Sequence, residues 1–263
     1  MRGSKLITIL FFLCLLGLLM FGFRTKPKTV LANEVERSLN LQSTDVSILK
    51  SEAIDELSSS SRTQIQILEA QLGTALVDSA KINLLKDIAS VWYSEGQIGI
   101  AGSYAEEVAN ISESASAWAI AGTTYGIGIK SAESDKERKY CIAKSLNALE
   151  NAISLNPDEV SYQLNRGIIL AENPPAENPM KGVLMLLDLN KKYPKNVPVI
   201  NNIAKFALQT GQLDKAEQRL LTANSLKPND KTTTCLFAQL YDAKGEKSKA
   251  DEYRAKCAMN GLN

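Results

Sequence analysis

Two consecutive stretches near the end of the chain decide the fold. Residues 197–230 read VPVINNIAKFALQTGQLDKAEQRLLTANSLKPND, and residues 231–263 read KTTTCLFAQLYDAKGEKSKADEYRAKCAMNGLN. Equivalent residues of the two stretches lie 34 positions apart: Ala204 and Ala238, Gly211 and Gly245, and Ala216 and Ala250. Because several matches share one register, we interpret the two stretches as copies of a single structural unit.

Looser copies of the same unit precede these two. Trp118, Ala121, Gly122 and Tyr125 form one spaced motif, W-x-x-A-G-x-x-Y. No segment after residue 61 alternates apolar and polar residues with period two, so a sheet is not expected. Three prolines fall where a second helix has to stop: Pro157, Pro194 and Pro228. The predicted domain covers residues 61–263, with repeats near 82–114, 115–159, 160–196, 197–230 and 231–263.

The period and the motif around Trp118 resemble the tetratricopeptide repeat (TPR) family, in which a 34-residue repeat forms a helix–turn–helix. The resemblance is strongest over residues 197–257 and is closest to small membrane-anchored TPR proteins of bacterial type. It implies an all-α fold, namely a right-handed TPR superhelix or α-solenoid of about five helix-turn-helix repeats. The concave groove of such a superhelix binds extended or helical peptides.

The resemblance also implies which residues line that groove, because in this family they lie at fixed places in the first helix of each repeat. Carried over, the predicted peptide-binding residues are Lys86, Ser90, Thr123, Leu164, Asn201, Lys205, Thr232 and Gln239. Cys235 is expected to face the groove and Cys257 to pack between helices. A disulfide between these two cysteines is geometrically conceivable but is not favoured, because the family's packing puts them on different faces.

Nothing in the sequence indicates catalysis. The chain has no histidine, four cysteines without a CxxC pair, and a formal net charge of +1. The commonest general base and metal ligand are therefore missing, and no overall basic field suggests nucleic acid. We expect a protein that is not an enzyme and that has no catalytic residues, metal site, cofactor or nucleic-acid partner.

The first residues predict a membrane segment. Residues 6–23, LITILFFLCLLGLLMFGF, carry no charge and would span about 27 Å as a helix. We predict a transmembrane anchor over 1–23 and a linker over 24–60, with the repeat domain on the exported, periplasmic face of a single-pass membrane protein. A signal peptide cleaved after Ala32 is the competing interpretation.

These observations predict a membrane-tethered TPR scaffold or adaptor that binds a protein or peptide through its concave face. One alternative is an accessory or assembly factor for an envelope enzyme complex. Another is a structural protein that self-associates through its terminal repeat, since no extra capping helix follows residues 231–263.

Overall fold

The computed structural model describes residues 45–259, and within that range the chain forms twelve α-helices and no strand. The helices are α1 (Val46–Ala53), α2 (Ser59–Thr74), α3 (Asp78–Ser94), α4 (Ile98–Ser112), α5 (Ala115–Ser131), α6 (Asp135–Leu155), α7 (Val160–Glu172), α8 (Lys181–Lys192), α9 (Val197–Gln209), α10 (Leu213–Leu226), α11 (Lys231–Lys244) and α12 (Lys247–Met259). The prediction of an all-α fold is confirmed.

Helices α3 to α12 form five successive hairpins. In each hairpin the two helices pack on each other, and the second helix then packs on the first helix of the next hairpin. The first helices α5 and α7, and likewise α9 and α11, also touch directly. Because each hairpin contacts mainly its neighbours, the described chain is a helical repeat solenoid. The right-handed superhelical sense remains a prediction.

Glycine turns close the first, fourth and fifth hairpins in the same way. Gly96, Gly211 and Gly245 have φ angles of +80°, +70° and +76°, a left-handed conformation that glycine adopts without steric cost. The amide after each glycine donates to a carbonyl five residues back, as in Gln212 to Ala207 at 2.8 Å. The spacing seen in the sequence is therefore the spacing of one repeated turn.

The first helices of the later hairpins start at side-chain caps. Ser114, Asn196 and Asp230 each accept a hydrogen bond from the backbone amide three residues ahead, at 3.1–3.2 Å. These bonds satisfy amides that have no partner within the helix. Each cap therefore fixes where the first helix of its repeat begins.

Small residues bring the helices of a hairpin close together. A Cβ atom on Gly182 of α8 would lie 2.2 Å from the backbone nitrogen of Ala171 in α7, so only glycine fits there. Ala204, Ala216 and Ala250 are fully buried at corresponding crossings of the last two hairpins. Larger side chains beside these contacts, such as Leu220, fill the remaining space.

The segment before the repeats is partly helical. Residues 45–60 belong to the predicted linker, but Leu49 and Ala53 of α1 and the following Leu57 are buried in the core cluster that contains Trp92. Helix α1 packs on α4, and its Glu52 pairs with Lys136 of α6 at 3.1 Å. Apolar burial therefore draws this segment into the folded domain.

A disulfide links the two helices of the last hairpin. Cys235 near the start of α11 is bonded to Cys257 near the end of α12, with a Cα–Cα distance of 4.9 Å. The sequence pattern did not favour this pairing and predicted that Cys235 faces the groove. The correction follows from the hairpin itself, because its fold-back brings the start of α11 next to the end of α12.

The predicted localisation has to be corrected. No helix in the range 45–259 combines the length and the apolar character needed to cross a membrane. The helices of this range are amphipathic or polar because their apolar residues serve the solenoid core. The proposed anchor over 1–23 and the cleavage position at Ala32 lie outside the described residues.

Candidate functional site

The main candidate site is a cleft of about 490 Å³ between the first two hairpins. Helices α3 and α5 form its two walls, and α4 forms its floor. The apolar lining consists of Ile82, Ala89, Tyr93, Ala101, Ala105, Val108, Ala117 and Ile120, and the polar lining of Lys86, Ser90, Ser112, Ser114, Ser116 and Thr124. We call this feature the α3–α5 cleft.

Helical spacing explains why these residues share one surface. On α3, Ile82, Lys86, Ala89 and Tyr93 are separated by three or four positions and therefore lie on one face. On α5, residues 116, 120 and 124 have the same spacing. The first helices of the first two repeats, α3 and α5, thus face each other across a floor formed by α4.

Large apolar side chains remain uncovered along this site. The exposed fractions are 47% for Tyr93 of α3 and 61% for Ile120 of α5, which line the cleft, and 47% for Ile127 of α5, which lies beyond the lining. Ile120 and Ile127 are seven positions apart, which places them on one face two helical turns apart. Uncovered apolar side chains that line a cleft are typical of a binding site.

The charge of the cleft comes from one side chain. Lys86 is the only charged residue in the lining, and it is exposed. It forms no ion pair with any residue in the range 45–259. The cleft therefore offers an apolar surface with one uncompensated positive charge.

The structure places the predicted groove residues in different environments. Lys86 and Ser90 line the α3–α5 cleft. Thr123 is exposed on α5 beside the lining residue Thr124, and its hydroxyl donates to the carbonyl of Ala119 at 2.9 Å. These three residues are accessible to a ligand.

Two predicted residues are buried instead. Leu164 of α7 belongs to a core cluster with Leu186 and Val199. Asn201 of α9 is 2% exposed and donates through Nδ2 to Oδ2 of Asp230 at 3.2 Å. Neither side chain is available to a ligand, so their assignment to the groove is corrected.

The remaining predicted residues lie outside the cleft. Lys205 of α9 donates to Glu172 of α7 at 2.8 Å, and Glu172 also pairs with Lys130 of α5 at 3.8 Å. One carboxylate thus connects three first helices, and Lys205 is engaged within the protein. Thr232 and Gln239 are exposed on α11, and neither lines the cleft.

The most exposed part of the site, Ile120, was not among the residues predicted from the sequence. On α5, Ala119 is buried whereas the next residue, Ile120, is exposed. One helical position is a rotation of about 100°, so a shift of one residue exchanges the groove face for the packing face. The spacing of Ile120 and Ile127 was the available signal, and it resembles that of an ordinary core stripe.

The buried titratable groups serve the structure. The Tyr125 hydroxyl donates to Glu106 at 2.7 Å, and Lys144 pairs with the same carboxylate at 3.0 Å. Burial raises the pKa of Cys141 to about 12, so this thiol is protonated at neutral pH. Within residues 45–259, no group of three or more Cys, Asp or Glu side chains could hold a metal ion.

The hairpins, the 34-residue register and the repeated glycine turns define the class of fold: the described chain is an array of helix–turn–helix repeats, which is the architecture that the resemblance to TPR proteins implied. No protein-family model and no curated protein sequence matches it. Among solved structures it is similar to MamA from Desulfovibrio magneticus RS-1, with 13% identity over 68% of this chain and 94% of that one and a TM-score of 0.45. It is also similar to YrrB, a TPR protein with an unusual peptide-binding site. The identity is 16% over 67% of this chain and 84% of YrrB, and the TM-score is 0.39. These similarities concern the fold alone.

Proposed function

We propose that this chain is a scaffold that binds a segment of another protein through its repeat array, with the α3–α5 cleft as the principal contact. The observation that carries the proposal is the cleft, which has two helical walls, an apolar lining and exposed Tyr93 and Ile120 at its edge. An apolar surface of this size gains free energy when a partner covers it.

The side chains that line the cleft are better suited to binding a partner than to catalysing a reaction. Apart from Lys86, its polar groups are serine and threonine hydroxyls, and no carboxylate or thiol stands among them. A hydroxyl nucleophile requires an adjacent base, and the lining holds no carboxylate or imidazole for that role. The cleft is therefore best suited to non-covalent recognition.

Self-association through the last repeat is less well supported. Helix α12 exposes mainly charged residues, and Arg254 pairs with both Asp242 and Asp251. A polar outer face is what shields the end of a repeat array from stacking. The α3–α5 cleft instead presents uncovered apolar side chains such as Tyr93 and Ile120.

Site-specific photo-cross-linking tests the proposal. A photoreactive amino acid placed at Ser90 or Thr123 should cross-link to one partner segment, whereas the same group at the exposed Asn224 of α10 should not. Mass spectrometry of the products identifies the segment. Equal products from all three positions, or no products at all, would refute a role for the cleft, and products containing only this chain would favour self-association.

A further inference from the structure

The lining of the α3–α5 cleft also indicates the chemistry of its ligand. Resting on the proposed function, we infer that the cleft binds an amphipathic α-helix of about three turns, with an apolar stripe facing α5 and a carboxylate opposite Lys86. The inference joins three observations: the length of the two walls, the state of the hydrogen-bonding groups in the lining, and the charge of Lys86.

Both walls carry uncovered apolar side chains. The lining runs from Ile82 to Tyr93 on α3, which is eleven positions or about 16 Å, and from Ser116 to Thr124 on α5, which is eight positions or about 12 Å. A partner helix as long as the α3 wall has about three turns. Its apolar residues at positions i, i+3 or i+4, and i+7 would contact Ile120 and continue toward Ile127, which is exposed on α5 just beyond the lining.

The hydrogen-bonding groups of the lining disfavour an extended peptide. Ser112 and Thr124 donate to carbonyls of their own helices at 2.8 Å, and Ser114 caps the amide of Ala117 at 3.2 Å. The lining contains no asparagine or glutamine that could bind a peptide backbone. An extended segment would bury amides and carbonyls without partners, whereas a helix satisfies its own backbone groups.

The positive charge of Lys86 indicates which charged residue the ligand should carry. Lys86 is exposed at the wall and has no acidic partner within residues 45–259. A glutamate or aspartate on the ligand helix would compensate this charge in surroundings that are mainly apolar, where such a pair is stronger than in water. A basic residue at the same place would be repelled.

Selection from a phage-displayed library of random 12-residue peptides tests the inference on the full chain. Enriched peptides should carry apolar residues at i, i+3 or i+4, and i+7, with an Asp or Glu at a fixed offset. Selection on Lys86→Glu should replace that acid by Lys or Arg. Individual peptides should bind Ile120→Glu at least about tenfold more weakly in fluorescence anisotropy.

Leu221→Glu on α10 is the matched control, because Leu221 is 56% exposed and lies outside the cleft. It should leave peptide binding unchanged, and circular dichroism should show that all three glutamate variants are folded. Peptides that depend on Ile120 but show alternating or basic patterns would overturn the helical, acidic ligand and leave the proposed function standing. If no enriched peptide depends on Ile120, the proposed function fails and the inference fails with it.

Discussion

Thr233 of α11 donates its hydroxyl hydrogen to the side-chain oxygen of Asn201 in α9, 3.1 Å away. The amide of Asn201 in turn donates to Asp230, the residue that caps α11. These buried polar contacts join the first helices of the last two repeats and hold the start of α11 in place.

Replacing Asn201 by alanine should therefore destabilise the end of the array. The variant loses two hydrogen bonds in a buried site, and we expect the free energy of unfolding to fall by about 1–2 kcal/mol. Urea unfolding followed by circular dichroism measures the change. Asn224→Ala, at an exposed position of α10, should stay within about 0.5 kcal/mol of the parent protein. Equal values for the two variants would contradict the role of Asn201.

Asp230 should make the stability sensitive to acid. Partial burial alone would raise the pKa of this carboxyl, but hydrogen bonds from Lys227 and Thr233 hold the pKa below its ordinary value. A carboxyl with a lowered folded-state pKa stabilises the protein above its unfolded-state pKa of about 3.9 and loses this contribution as the pH falls through the folded-state value.

The test compares the parent protein with Asp230→Asn, which keeps a capping oxygen but cannot ionise. At pH 7 the parent should be more stable by roughly 1 kcal/mol, because hydrogen bonds to a charged group are stronger. The difference should shrink as the pH is lowered below about 4. A difference that stays constant from pH 7 to pH 2 would show that the charge of Asp230 does not contribute.

Reduction of the disulfide should weaken the last hairpin. Cys235 and Cys257 are 22 positions apart, and a cross-link of that length stabilises a protein by about 3 kcal/mol through the unfolded chain. Adding a dithiol reductant should lower the free energy of unfolding by a comparable amount. The double variant Cys235→Ser and Cys257→Ser should not respond to reductant. Unchanged unfolding of the parent after thiol titration has verified reduction would contradict the expectation.

Two glycine substitutions should have opposite effects. Gly182→Ala places a methyl group within 2.2 Å of the α7 backbone, so the helices must separate, at a cost of about 1–3 kcal/mol or more. Gly73 lies in α2, and a Cβ there meets nothing within 4 Å. Gly73→Ala should stabilise the protein by about 0.5–1 kcal/mol, because alanine favours helix. Thermal melting of both variants tests the contrast, and a stable Gly182→Ala protein would show that this crossing can relax.

Local patterns in the sequence predicted most of the fold. The helical hairpins follow from apolar spacing, and the turns at Gly211 and Gly245 follow from a glycine repeated every 34 positions. Each of these features depends on residues that are close together in the chain. The looser early repeats were recognisable from the motif around Trp118 and from the prolines at the ends of second helices.

The site was predicted less well, because its residues depend on contacts between repeats. Asn201 occupies a groove position by spacing but is buried, since Asp230 and Thr233 of the next repeat satisfy its amide. Lys205 is engaged by Glu172 of the preceding repeat. The floor of the cleft comes from α4, and nothing in a pattern of first helices indicates its contribution.

The ion pairs of Glu172 have a mechanical consequence. Through Lys130 and Lys205, one carboxylate links α5, α7 and α9. The stiffness of the segment from α5 to α9 should therefore depend in part on charge. Because salt screens such pairs, raising the ionic strength should make this segment more compliant.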